Sequence, residues 1–506
     1  MAYLLGLDVG TTSFKAVLFS EEGREVASAS SEYTLLTPKA DIVELEAEAY
    51  WDVCKLVLSE VCRKADSRYI RALAISSQGE TLIPVDKDGN PLRRAIVWLD
   101  NRSQAEARII RDEFGRRNIF EITGQPDVVP TWPATKILWM RRNEPQIFKR
   151  VYKYLLVEDY LIYRLTGRFV AEGSLLSSTL LFDIKGRRWW GEMLEFLGIS
   201  EESLPQIRES GEVVGEVRGE VCREIGLPED TVVVTGALDQ AASTIGAGNI
   251  RSGIVTESTG AALAICATIE ESLFDPGDRI PCHYHAIRGR YYLLPWCQTA
   301  GMALRWFRDQ FCEREKELAS KEGVDVYKLM DDAASSVPPG SDGLLMLPHL
   351  MGAACPEFNP DARGCYFGFS LSTTKAHFIR ALLEAVAFML KRNLDILEEL
   401  GVEVREIRTI GGGSRSGLWN QIKADVTGKP LVTLETAETA CLGAATLAGV
   451  GVGVFPSLQA ACERMVHLKG RFTPNEGNRP IYQRGYERYV KLYEALEPLF
   501  SSLDEK

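Results

Sequence analysis

The 506-residue sequence has no Cys-x-x-Cys pair among its eleven cysteines, which excludes a zinc ribbon and a thioredoxin-type motif. Thiols dispersed in this way fit a reducing compartment better than a disulfide scaffold, so a cytoplasmic location is expected. No phosphate-binding Gly-x-x-x-x-Gly-Lys-Ser/Thr loop is present, because Lys429 follows Gly428 but precedes Pro430. Nor does a Gly-x-Gly-x-x-Gly follow the first strand and open a helix, which leaves a dinucleotide fold unsupported. Basic residues are in deficit: 58 Lys and Arg stand against 70 Asp and Glu, a formal net charge of −12. That field repels phosphate backbones and anionic lipid, so neither nucleic acid nor membrane is an expected partner. The long uncharged stretch from Thr439 is rich in Gly and Ala and contains Pro456. It reads as a buried small-residue helix and turn, not as a membrane span. The opening MAYLLGLDVG lacks a basic segment and reaches Asp8, so no signal peptide is expected there.

What is present is globular. Hydrophobic residues make up 45% and charged residues 25%, near the averages for folded domains. The length suggests two to four domains at roughly 150 residues each, since single cores stop growing beyond roughly 250–300 residues. Apolar and alternating runs over Tyr3–Val9, Phe14–Phe19 and Glu25–Ser31, broken by GTTS and EEGR, predict a β-meander. A helix over Glu46–Lys64, a strand over Ile70–Ser76 and further alternation indicate an α/β architecture. After a strand at Thr231–Thr235 the opening style returns: strand, Ser-Thr-Gly-Ala-Ala, strand at Leu263–Thr268. This predicts a weak internal duplication, with domains at 1–248 and 249–506. Start signals, a one-sided apolar pattern and Gly401 predict a helix over Ser372–Leu400, and a strand at Glu406–Ile410 runs into GGGSRSG.

Four motifs carry chemistry. In GLDVGTTSFK, an acid ends one strand and a Gly/Thr/Thr/Ser turn precedes the next. The backbone N–H groups and hydroxyls of Thr11, Thr12 and Ser13 suit a phosphate, Lys15 adds a point charge, and Asp8 suits magnesium held through water. An ordinary hairpin explains the same residues, but the echo in ESTGAA, at Thr259 and Gly260, favours two phosphate turns facing a cleft. In GALDQ, Asp239 follows a buried strand, where α/β folds place ligands. An ionised carboxylate there suits a general base, while a solvated helix N-cap is the bland alternative. In ISSQGET, Gln78 and Glu80 end another strand and suit a polyhydroxylated ligand. GGGSRSG, with Gly412 and Gly413, permits close approach of a ligand to the backbone. His283 and His285 share a strand face, for which a polar face is a better explanation than a metal pair because no third ligand is evident.

Together these pieces resemble the FGGY family of carbohydrate kinases, which includes glycerol, xylulose, ribulose and gluconate kinases. The resemblance runs from about Leu4 to about Phe472. It includes PATKILWMRRN (Pro133 to Asn143), near the first family signature with Thr131 as a departure, and GCYFGFSLSTTKAHFIRALLE (Gly364 to Glu384), the second signature with Phe369 as a departure. The resemblance implies two ribonuclease H-like domains, as in actin-like ATPases, with ATP, magnesium and sugar meeting in the cleft between them. It implies Asp239 as catalytic base and a possible metal contact, and Asp8 as the acid near magnesium. Thr11, Thr12, Ser13 and Lys15 match the first phosphate loop, Thr259 and Gly260 the second. Gly301, Gly412 and Gly413 fall to the nucleotide, the last two at adenosine, with TACLGAATLAG as a neighbouring helix. Gln78, Glu80, Trp98, Asp239 and Gln240 fall to the sugar.

Substrate choice rests on details. Glycerol kinases carry Arg-Glu after the Gln of the strand-end motif, where this chain has Gly79 and Glu80. Xylulose kinases carry Met-His there, yet the segment with LLVEDYLIYRLTG is in the xylulose style. The expected reaction is phosphoryl transfer from ATP to a primary hydroxyl of a ketopentose, D-xylulose by preference. Other polyols or sugar acids, and a non-catalytic sugar-sensing regulator, stand as alternatives. A homodimer is a further expectation.

Overall fold

In a computed structural model, residues 2–504 are described. The first of two large sheets has six strands in the order Val213–Glu216, Val232–Leu238, Ile70–Ser77, Tyr3–Val9, Ser13–Ser20, Glu25–Glu32. The three opening strands form the expected antiparallel meander. Ile70–Ser77 and Val232–Leu238 then add in parallel, and Val213–Glu216 closes the edge antiparallel.

The second sheet repeats this plan. Tyr291–Leu293, Leu263–Ile269 and Gly253–Thr259 run antiparallel to one another, Val404–Ile410 and Leu431–Leu434 add in parallel, and Leu468–Phe472 closes the edge antiparallel. Strand order and sense thus agree across six positions, although the two sequences scarcely do. In the first sheet the edge strand precedes its neighbour in the chain; in the second it follows. The helix expected over Ser372–Leu400 spans Lys375–Glu399, begins after Thr374 and stops before Gly401, whose φ of 84° is left-handed.

Alternation in the first strand explains what covers its sheet. Leu5, Leu7 and Val9 pack with Tyr50, Cys54, Val57 and Val61 of the helix Ala47–Lys64. Leu4, on the other face, packs with Cys441, Leu442 and Ala445, and Ala72, Ala74 and Val234 pack with Ala444 and Ala448. Those partners belong to the 13-residue helix Thr439–Gly451, which comes from the second half of the chain yet lies on the first half's sheet. It does so through bare backbone. A Cβ built on Gly6 would overlap the carbonyl oxygen of Cys441, one on Gly246 that of Thr439, and one on Gly443 that of Ala242.

Gly6→Ala therefore forces this helix off the strand. Overpacking of this kind costs about 1–3 kcal/mol, and the midpoint of urea unfolding should fall accordingly. A midpoint equal to that of the parent would mean that the helix is not seated as described.

Candidate active site

The first strand delivers Asp8 to the sheet's end, and a tight turn follows. Gly10 N–H donates to the Ser13 carbonyl at 2.9 Å, and Tyr33 N–H donates to the Thr12 carbonyl at 2.9 Å. The Tyr33 hydroxyl donates to the Gly10 carbonyl. Beneath the turn, buried Gln78 places its amide nitrogen 3.4 Å from the Gly10 carbonyl and 3.4 Å from each of the Tyr33 and Tyr50 hydroxyls. Its amide is thereby engaged in supporting the turn. Trp98 Nε1–H donates to Thr11 Oγ1 at 3.0 Å, so the indole lies against the same turn. Lys15 pairs with Glu438 at 2.7 Å, across 423 residues of sequence.

Asp239 is the first residue of the helix Asp239–Gly246, directly after the strand Val232–Leu238. Its Oδ1 accepts the Gln240 N–H at 2.6 Å. Burial, and then the charge of Asp8, push its carboxyl up to about 7. Burial likewise pushes Asp8 up to about 6, helped by Glu438 and opposed by a 2.9 Å hydrogen bond from Ser76 Oγ and by Lys15. Glu80 is a third member. Its backbone is left-handed, with φ of 62°, a conformation unusual for a side chain of this kind. The fully buried Lys136 ammonium donates to the Glu80 carbonyl at 2.8 Å and to the Val97 carbonyl at 3.2 Å, which braces that backbone. Burial raises the Glu80 carboxyl and lowers Lys136, while their attraction opposes both shifts and Asp239 raises Glu80 further.

In the second half, Thr259 ends the strand equivalent to Tyr3–Val9. Gly301 N–H donates to the Gly260 carbonyl at 3.0 Å. A Cβ on Gly413 would meet the Thr259 side chain at 2.7 Å, whereas one on Gly412 would meet nothing within 4 Å, so Gly412 is the glycine with open space beside it. The Thr259 hydroxyl donates to Glu257 at 2.7 Å and accepts from Lys423 at 2.8 Å. Lys423 also donates to Glu257 at 2.6 Å, and both of those side chains are 0% exposed. Thr409 donates to the same carboxylate. With its hydroxyl engaged on both sides, Thr259 is fixed at the end of its strand, where it pairs with Leu263.

The structure thus places Asp239 within electrostatic reach of both Asp8 and Glu80. It groups Thr11, Trp98, Gln78 and the Gly10–Ser13 turn beside Asp8, and Thr259, Gly260, Gly301, Gly411 and Gly413 on the other half. Residues that the sequence reading left without a role are Glu438, Lys136, Tyr33, and the Glu257–Lys423 pair. Lys136 was inside a quoted motif, but nothing in the sequence joins Glu438 to Lys15. His283 and His285 flank the buried Tyr292 ring, each 5.1 Å from it. Burial lowers both to about 3, and they bond Gln125 and Thr268 respectively.

Residues 3–246 match the model described as FGGY family of carbohydrate kinases, N-terminal domain, and residues 259–452 match the corresponding C-terminal domain. The chain belongs to the FGGY family of carbohydrate kinases. It is therefore a sugar kinase, a phosphotransferase with an alcohol acceptor, built on two actin-like ATPase domains. The gluconokinase of Bacillus subtilis strain 168 is 32% identical over 99% of this chain and 98% of its own length. The xylulose kinase of the same strain is 30% identical over 99% of both chains. A crystal structure of ligand-bound xylulose kinase from Lactobacillus acidophilus superposes with a TM-score of 0.91, at 27% identity, covering 100% of each chain. No helix among the described residues is long and apolar enough to cross a membrane. Nor do the described residues include a group of three or more His, Cys, Asp or Glu placed to hold a metal by themselves. Asp8 and Asp239 lie close enough for the charge of one to raise the other.

Two predictions follow from the charges. Asp239 binds its proton more tightly folded than unfolded, so its contribution to stability is complete below its ordinary value of 3.8 and is lost as pH rises through about 7. Asp239→Asn should therefore melt above the parent at pH 8 and lose that advantage towards pH 4, as read by calorimetry without ligands; a pH-independent difference would refute the burial argument. Lys423→Met strands a buried carboxylate and should cost about 3–5 kcal/mol, whereas Lys423→Met with Glu257→Met should regain most of it. Chemical unfolding of the single and double variants compares the two.

Proposed function

We propose that this FGGY kinase transfers the γ-phosphoryl group of ATP to a primary hydroxyl of a neutral ketopentose, and we name D-xylulose. The observation that carries this is the acidic character of the cleft. Asp8, Glu80 and Asp239 converge there, and Lys15 and Lys136 are already engaged by Glu438 and by backbone carbonyls. A sugar acid would bring a further carboxylate beside these three, while a neutral ketose offers hydroxyls to hydrogen-bond with them. The 30% identity to a xylulose kinase supports this choice, although a gluconokinase at 32% gives the sugar acids a place in the test.

In this reading the halves 1–248 and 249–506 are its two domains. The Gly10–Ser13 turn and Lys15 receive the terminal phosphates, Thr259 and Gly260 contact them from the other half, and Gly301, Gly412 and Gly413 line the adenosine side. Glu80, Trp98 and Gln240 orient the sugar, with Gln78 supporting from beneath the turn. Asp239 accepts the proton of the attacking hydroxyl as the new O–P bond forms and the bond to the β,γ-bridging oxygen breaks. ADP leaves with that electron pair, and Asp239 returns the proton to solvent. Asp8, through water, and Asp239 would hold magnesium, which supplies charge neutralisation among the phosphates. Such transition states are loose, so placement outweighs base strength, and closure of the two halves keeps water from the phosphoryl group. Its eleven cysteines, all free and mostly buried, support a cytoplasmic setting.

The test is ADP release with ATP and magnesium against a panel of pentuloses, glycerol and other polyols, and D-gluconate. A ketopentose should give the highest kcat/KM, and Asp239→Asn should lower turnover by about 10²–10⁴-fold while remaining folded. Preference for gluconate would overturn the neutral-substrate reading. Wild-type turnover in Asp239→Asn would remove Asp239 from the base role.

A further inference from the structure

The strand that delivers Asp239 is irregular just before it arrives. Val234 lies opposite Ala74, but Ala237 lies opposite Ser76, so one extra residue is inserted around Thr235 and Gly236. Such a bulge takes backbone groups out of the ladder and re-aims the side chains beyond it. Here the groups released have named partners. Gly236 N–H donates to Glu158 Oε1 at 2.8 Å, and Leu238 N–H donates to Ser174 Oγ at 3.0 Å. The Ser174 hydroxyl donates in turn to Glu172 at 2.8 Å. Glu172 also accepts from the backbone N–H groups of Ser174 and Leu175 and from Ser210 Oγ, at 2.7, 2.5 and 2.6 Å. Glu158, Glu172 and Ser174 are fully buried, and none of them belongs to the site described above.

We infer that Glu158 and Ser174 are positioning residues for Asp239: they hold the bulged backbone of Gly236 and Leu238, and so decide which way the following carboxylate faces. This rests on the reading of Asp239 as the base. Without these acceptors, two buried N–H groups next to Asp239 are unsatisfied, and the economical relief is to expel the bulge. That slips the strand by one residue and turns its end to the opposite face. Gly236 has no room to adjust, since a Cβ there would overlap the Ile75 carbonyl oxygen. Burial, with Glu172 and Asp159 nearby, holds the Glu158 carboxyl well above the usual range. A neutral acid still accepts through its carbonyl oxygen, and so does an amide of the same shape. Glu158→Gln should therefore preserve the contact that Glu158→Met removes.

The experiment measures sugar-dependent turnover, KM for ATP and sugar-independent ATP hydrolysis. Glu158→Met and Ser174→Ala should each lower kcat by about tenfold to a hundredfold, the scale of a misplacement of about 1 Å. KM for ATP and sugar-independent hydrolysis should change no more than they do in Asp239→Asn, Glu158→Gln should keep parental kcat, and neither change should lower the residual turnover of Asp239→Asn further. Parental kcat in folded Glu158→Met and Ser174→Ala overturns the inference, as does an equal loss in Glu158→Gln or an additive loss on top of Asp239→Asn. If Glu158→Met does not fold, Ser174→Ala decides alone. Parental turnover in Asp239→Asn by itself removes the base and this inference with it, an outcome distinct from failure of the positioning variants.

Discussion

The molecule depends on one contact between backbones. The helix Thr439–Gly451 touches the strand that carries Asp8 through Gly6, and touches the helix that begins at Asp239 through Gly246 and Gly443. Glu438, immediately before that helix, pairs with Lys15. A single element from the second half thus sets the height of Asp8, Asp239 and Lys15 in the first half. Only glycines permit this approach, because each contact is with a carbonyl oxygen and leaves no volume for a methyl group. Whatever relative motion the halves make must pivot near this seam, since packing this close does not slide without loss of contact.

Around that seam, stability and chemistry pull in opposite directions. Two half-buried carboxylates repel each other, and their loss of solvent raises both. Such an arrangement is unfavourable for the ligand-free fold, but it gives a field in which a hydroxyl proton has an acceptor and a cation has a seat. The counterweights lie one layer out. Lys136 braces the left-handed backbone of Glu80, Lys423 neutralises Glu257 under the second turn, and the Glu158 and Ser174 contacts secure the bulge before Asp239. The contacts of Lys136, Glu158 and Ser174 lie behind Glu80 and Asp239 and hold the backbone that carries them.

Much of this was legible in the chain. The meander and the duplicated plan were legible from alternation and turn residues, the α/β plan from alternating helices and strands, and the family from the ordered motifs. Asp8, Asp239 and the two turns were readable because acids and glycines at strand ends are local signals. The Gln78 side chain shows the limit: its type suggested a ligand contact, but its amide lies beneath the turn among Tyr33, Tyr50 and the Gly10 carbonyl. Which way a strand-end side chain points depends on what packs there.

The sequence by itself determined the family, the α/β plan and the chemical types at each strand end, because periodicity and local turn chemistry act over a few residues. Only the tertiary structure decided that Glu438 reaches Lys15 and that Lys423 pairs with Glu257. It alone showed that an extra residue at Gly236 is held by Glu158 and that a helix from the second half roofs the first sheet. Among those arrangements, Lys15 and Glu438 stand 423 positions apart. No local pattern encodes them, because they exist only once buried backbone groups must find partners that water no longer supplies.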